Sequence, residues 1–203
     1  MVLRPREPIR AAPLLARLED LGLLHVEIAW HAHPGWSAQC RDLIASFPAL
    51  RLGAASICGS EALNAAAEAG FRYAMAPILR SSLLRQAEAI GMTLVPGVMT
   101  PTEIHRAMEL GCRLVKLFPA SALGADYWHG LRDPLGGALP FCIAAGGLRP
   151  EDVSPWLREG VDAIALGSRR LGWREQQGKA EPTEGDDAVA AATLRNLLAK
   201  LAR

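Results

Sequence analysis

Lysine, aromatic side chains and paired cysteines are all scarce in this sequence, and no long apolar run interrupts it. Three of its 203 residues are lysine (Lys116, Lys179 and Lys200), and aromatics make up 5%. The 22 basic residues are balanced by 21 acidic ones, for a formal charge of +1. With no charge excess and with its arginines scattered, the chain lacks the electrostatic footprint of a polynucleotide or membrane-surface binder. The densest basic pair, Arg169–Arg170 followed by Arg174, reads as solvated surface or a local anion contact. Trp30, Trp36, Trp128, Trp156 and Trp173 are not interleaved with basic residues as a base-stacking platform requires. Cys40, Cys58, Cys112 and Cys142 form no CxxC pair, so they read as free thiols in a reducing compartment. No run is long enough for a membrane span, and MVLRPREPIR has no apolar signal region. The expectation is a cytoplasmic chain with neither a nucleic-acid nor a membrane partner.

What is present is core-forming material. Hydrophobic residues make up 50% and charged residues 21%, enough for one full domain over 1–203. Short apolar runs recur: Met1–Arg4, Leu23–Trp30, Leu50–Ser56, Tyr73–Ala76, Met92–Gly97, Arg113–Phe118, Leu139–Ala144 and Val161–Gly167. Several are near-continuous, as parallel strands covered on both faces should be. Between them lie helical patterns. Trp36, Cys40, Leu43, Ile44 and Phe47 follow a 3.6-residue period. Segments 61–69 and 82–90 stop at Gly70 and Gly91. Thr100-Pro101-Thr102-Glu103 has the form of a capping box, with Gly111 closing that helix. Segment 155–159 has an apolar face, and Ser154 is the expected start of its regular helix. Eight such units predict an α/β fold of the small (β/α)8 TIM-barrel type, with an open doubly wound sheet as the alternative. A polar loop, 175–187, breaks the rhythm. Asp187 is the expected cap of a final helix over 188–201.

Lys116 is the sharpest chemical signal. In RLVKLFPA it shares a strand face with Leu114 and Phe118. Burial there destabilises the ammonium and makes a neutral amine, which attacks carbonyls. A side chain snorkelling from a strand end is the plainer reading. Glu27 is a lone carboxylate in LLHVEIAW. It is a candidate proton carrier beside Lys116, or half of a structural ion pair. Gly146–Gly147 and Gly167–Ser168 each follow a strand. In a barrel, their backbone N–H groups would cradle a phosphate after the seventh and eighth strands, with Arg169 or Arg170 adding charge; either pair also reads as a simple turn. His31 and His33 stand in an HxH spacing without the further ligands a metal site needs. His31 is therefore read as a carboxylate-binding or surface residue.

These motifs together resemble the 2-keto-3-deoxy-6-phosphogluconate / 4-hydroxy-2-oxoglutarate aldolase family, the bacterial class I lyases. VKLFPA (Val115–Ala120) is similar to the segment around that family's Schiff-base lysine, and HVEIAW to the strand carrying its proton-transfer glutamate. VPGVMTPTE (Val95–Glu103) resembles PGxxTPTE, AAGGLRPE (Ala144–Glu151) the phosphate loop, and Leu166–Ser168 its last element. The resemblance implies Lys116 and Glu27 as catalytic residues. It implies substrate contacts from Arg4, His31, Ser56, Pro77, Phe118, Ala145, Gly146, Gly147, Gly167 and Ser168. His31 stands where the family usually has an arginine. Ala145 replaces a threonine, Ser56 stands where a threonine touches the keto acid, and Ala76 and Ile78 replace the SPG serine and glycine. An N-terminal helix below the barrel is expected to be shortened or absent.

The function implied is cleavage of 2-keto-3-deoxy-6-phosphogluconate to pyruvate and glyceraldehyde 3-phosphate, or of 4-hydroxy-2-oxoglutarate to pyruvate and glyoxylate. It needs no cofactor beyond the Schiff base on Lys116, and the resemblance implies a homotrimer. Two alternatives stand beside it. One is a catalytically weakened barrel that binds a phosphorylated ligand or serves as an oligomeric assembly protein. The other is a different phosphate-binding barrel, such as an isomerase or decarboxylase.

Overall fold

The computed structural model describes residues 1–173 and 184–201. Strands and helices alternate along the chain. β1 (Val2–Leu3) leads through a 3-10 turn (Pro8–Ala11) to α1 (Ala12–Asp20), β2 (His25–Ala29) to α2 (Trp36–Ser46), β3 (Arg51–Ala55) to α3 (Ser60–Ala69), and β4 (Tyr73–Met75) to α4 (Ser81–Ala89). β5 (Thr93–Val95) and β6 (Gly97–Val98) precede α5 (Pro101–Glu109). β7 (Leu114–Leu117) precedes a 3-10 turn (Ala120–Ala122) and α6 (Tyr127–Gly130). β8 (Phe141–Ala145) precedes a 3-10 turn (Pro150–Asp152) and α7 (Val153–Arg158). β9 (Ala163–Ala165) precedes a last 3-10 turn (Ser168–Leu171) and α8 (Glu184–Leu201).

Strands pair in chain order, β1 to β5 and β6 to β9, and every pair is parallel. β5 and β6 are two halves of one strand, divided at Pro96, which has no N–H to give to a ladder. The first half pairs with β4 and the second with β7, and Pro96 O accepts from Lys116 N at 2.8 Å. At the other seam Val2 N donates to Leu166 O at 2.8 Å, and Val2 bridges Gly167 in parallel. Counting β5 and β6 as one, eight strands form a TIM-type (β/α)8 barrel. The open sheet is ruled out at the Val2 seam, where its edge strands would be unpaired.

Side-chain alternation then sorts residues into two compartments. Val115 and Leu117 point outward into the fully buried layer between strands and helices. A separate inner cluster holds Val2, Ala29, Ala55, Ala145 and Ala165, with Phe118 and Ile143 against it. These inner residues are mostly alanines, so they put little side-chain bulk at the carboxyl ends of the strands.

Local chemistry explains the elements. Thr100 Oγ1 accepts from Glu103 N at 3.2 Å and Glu103 Oε2 accepts from Thr100 N at 2.9 Å, closing the expected capping box of α5. Gly111 follows α5 with φ +75°. α7 begins at Val153, one residue before its expected start. α1 escaped the sequence reading, although Pro13 in its first turn and the fully buried Leu15 and Leu18 are its signature. The polar stretch 175–187 needs a correction. Residues 184–187 belong to α8, so Asp187 lies inside the helix and does not cap it. The rest of the stretch, 175–183, falls outside the described residues. Among those described, no helix is long and apolar enough to cross a membrane.

Candidate active site

The barrel pattern turns Lys116 inward. Its register partners are Gly97 on β6 and Ile143 on β8. Only 5% of Lys116 is exposed, and its Nζ stands 4.7 Å from the centre of the Phe118 ring. Burial pulls the amine below the usual lysine range. The Glu27 charge works against that shift, Arg4 reinforces it, and Cys58 opposes it weakly.

Glu27 projects from β2 beside Gly53 of β3 and Val2 of β1. It is 7% exposed, and its Oε2 is fully buried with no hydrogen-bond partner. Burial raises its pKa, against the opposing pull of the Met1 amino group, Lys116 and Arg4. The amine and the carboxyl are therefore both driven towards their neutral forms. In that state the amine is a nucleophile and the carboxyl can donate a proton.

Arg4 follows β1, and its Nη1 donates to Ser56 Oγ at 2.9 Å. Ser56 has φ +65°, the one positive value among the described non-glycine residues, a conformation kept where surrounding structure enforces it. Arg4 lies in the electrostatic field of both Glu27 and Lys116. His31 is engaged elsewhere: its Nε2 donates to Arg6 O at 2.6 Å. Pro77 sits in the turn after β4. It approaches Gly97 so closely that any Cβ at position 97 would overlap the Pro77 carbonyl.

The two glycine-bearing loops lie at the ends of β8 and β9. Ala145 ends β8 in the inner cluster. Gly146 and Gly147 follow at φ +93° and +82°. A Cβ at Gly146 would lie 2.8 Å from the Phe118 ring, and one at Gly147 would overlap Ser121 Oγ. Gly167 bridges Val2 and opens the turn that holds the buried Ser168.

The structure thus brings Lys116, Glu27, Arg4, Ser56 and Phe118 into one region at the strand ends, with Ala145 and Gly146 against Phe118. Four neighbours were not singled out from sequence. Gly97 sits in the PG of VPGVMTPTE, and Ser121 follows FPA directly, so both had a nearby motif. Cys58 and Tyr73 had none; their relevance comes from folding alone.

Fold and site together define a small (β/α)8 barrel with a buried lysine and a buried carboxylate inside it, and comparison with known proteins narrows the class. The family model described as KDPG and KHG aldolase matches residues 1–179. The chain is 31% identical over 168 residues to the 2-dehydro-3-deoxy-6-phosphogalactonate aldolase of Escherichia coli K12, covering 82% of this chain and 81% of that one. It is 29% identical over 148 residues to the KHG/KDPG aldolase of the same organism, covering 72% and 68%. A solved structure described as native KDPGal superposes with a TM-score of 0.82 at 28% identity, covering 98% of this chain and 93% of that one. The chain belongs to the KDPG and KHG aldolase family.

Proposed function

We propose that this chain is a class I aldolase that cleaves a 2-keto-3-deoxy-6-phospho sugar acid to pyruvate and glyceraldehyde 3-phosphate. The 6-phosphogluconate and 6-phosphogalactonate forms are its candidate substrates, with 4-hydroxy-2-oxoglutarate, cleaved to pyruvate and glyoxylate, as the unphosphorylated candidate. The observation that carries the reading is the burial of Lys116 and Glu27 inside one barrel, where loss of water favours the uncharged form of each.

In the proposed reaction Lys116 Nζ adds to the C2 ketone. Glu27 gives a proton as the carbinolamine hydroxyl leaves as water. The resulting iminium draws the C3–C4 electrons as the C4 hydroxyl gives its proton to the now ionised Glu27, so C3–C4 breaks and the aldehyde departs. The enamine takes a proton at C3, and water hydrolyses the iminium to pyruvate and free Lys116. The covalent adduct is the electron sink, so the scheme calls for no separate cofactor. Arg4, held by Ser56, is the proposed clamp for the keto-acid carboxylate, with Pro77 flanking the pocket and Phe118 and Ala145 as its apolar wall, while His31, bonded to the Arg6 carbonyl, takes no part in the clamp. Gly146, Gly147, Gly167 and Ser168 are the proposed phosphate cradle. The relative named for 6-phosphogalactonate supports testing that epimer first. The sequence expectations of a single domain, a homotrimer and a cytoplasmic location complete the proposal.

The test is pyruvate release from each candidate substrate, with borohydride reduction in the presence of pyruvate. A stable adduct on Lys116 supports the enzyme. Binding of a phosphorylated ligand with no adduct and no release would favour the binding-protein alternative.

A further inference from the structure

At the amino-terminal end of the barrel a tyrosine occupies space that a glycine leaves empty. Gly53 is the register partner of Glu27. A Cβ at Gly53 would overlap the Tyr73 ring, so the ring of this β4 residue lies across the face of β3 that points into the barrel. The Tyr73 hydroxyl donates to Arg51 O at 3.1 Å and reaches Val26 O, the residue before Glu27, at 3.5 Å. The His25 ring stands edge-on to it at 6.3 Å. Burial raises the phenol pKa, and the nearby Glu27 charge raises it further. Beside this ring, Glu27 Oε2 is shut from solvent without a hydrogen-bond partner. A buried carboxyl in that condition keeps its proton more readily than a hydrated one.

We propose that Tyr73 is a positioning residue: its ring, seated in the gap at Gly53, closes the barrel next to Glu27 and keeps water off the carboxyl from the amino-terminal side. The reaction is then served from the carboxyl-end mouth alone, and Glu27 exchanges protons with substrate in preference to bulk water. Its function in catalysis rests on the aldolase reading above; its effect on Glu27 does not. The other groups acting on Glu27 are Arg4 after β1, Lys116 on β7, and the Met1 amino group.

The experiment follows the Glu27 carboxyl by 13C NMR of glutamate-labelled full-length protein titrated with acid and base, with Glu27→Gln assigning the signal. Wild type and Tyr73→Phe should titrate together, because the ring and not the hydroxyl does the sealing. Tyr73→Ala, which admits water, and Gly53→Ala, which displaces the ring, should lower the midpoint by about one pH unit or more, a tenfold change in proton affinity. The limb of the kcat–pH profile that Glu27→Gln removes should move down with it, while KM changes less. Circular dichroism checks folding; should Tyr73→Ala fail to fold, Gly53→Ala and Tyr73→Leu carry the test. A Glu27 midpoint unmoved in the folded variants overturns the proposal. Absence of pyruvate release in wild type overturns the aldolase reading instead, because the carboxyl titration does not depend on turnover.

Discussion

Lys116 on β7 and Glu27 on β2 are both buried, yet no ion pair joins them. Ion pairs such as Arg10–Glu7, Arg41–Glu68, His105–Glu109, Arg106–Glu109 and Arg149–Glu151 lie on exposed side chains. A close pair in the interior would hold both groups charged. Separation lets desolvation dominate at each site, so the amine moves down and the carboxyl up. That is the state an amine nucleophile and a proton carrier need.

Replacing the nucleophile should therefore separate chemistry from folding. Lys116→Ala is expected to lower pyruvate release by about 10³-fold or more and to abolish the borohydride adduct, while circular dichroism stays native. Cleavage retained at the wild-type rate would remove Lys116 from the mechanism.

The same burial makes a stability prediction with a definite sign. Below its lowered folded pKa, Lys116 is charged in native and unfolded chains alike, and the native state bears the cost of burying the charge. Between that pKa and about 10.4, its unfolded value, the unfolded chain binds more protons, so stability from this group rises with pH. Lys116→Met should accordingly raise Tm at pH 7, and the difference from wild type should narrow as pH climbs towards about 10. A Tm difference that stays constant over this range would show the amine to be unperturbed.

Carboxylate recognition is expected to lie with Arg4 rather than His31, whose Nε2 is already bonded to the Arg6 carbonyl. Losing a charged hydrogen bond costs about 1.5–3 kcal/mol, so Arg4→Ala should raise KM about 10- to 100-fold. His31→Ala should change it far less. Steady-state kinetics on one phosphorylated substrate decides between the two.

The glycine loop gives a substrate-selective outcome. Gly147→Ala places a Cβ on Ser121 Oγ at φ +82°, and the left-handed conformation alone costs about 1–2 kcal/mol. KM for a 6-phospho substrate should rise by about tenfold or more. The ratio for 4-hydroxy-2-oxoglutarate, which has no phosphate, should change less. Equal losses on both substrates would argue that the loop supports the barrel and not the phosphate.

At the head of α5, Thr100→Ala removes the hydroxyl that accepts from Glu103 N. Urea unfolding should show a loss of about 1 kcal/mol, with kcat little changed because the cap lies outside the proposed pocket.

The strand rhythm and the α5 capping box were legible because both are local. Apolar runs and turn residues declare themselves within a few positions, so all eight strands lie where the periodicity places them. Lys116 and Glu27 stood out because a charge in an apolar run is costly wherever the run folds. α1 was passed over because Pro13 and Arg17 interrupt it and the polar, proline-bearing stretch before it obscured its buried Leu15–Leu18 stripe. The start of α8 was misplaced by one turn, because its acidic opening reads equally as a loop.

By itself the sequence determined the βα alternation, the presence of a lysine and a carboxylate inside apolar runs, and Gly111 as a helix stop, since each follows from residue chemistry and short spacing; that Lys116 and Glu27 face inward was decided by the barrel. Only the tertiary structure decided that Arg4 and not His31 reaches Ser56, that Ser121 abuts Gly147, and that Tyr73 lies in the gap at Gly53. These contacts join residues up to 52 positions apart. They are set by the closing of the barrel and the register of its strands, which no local pattern encodes.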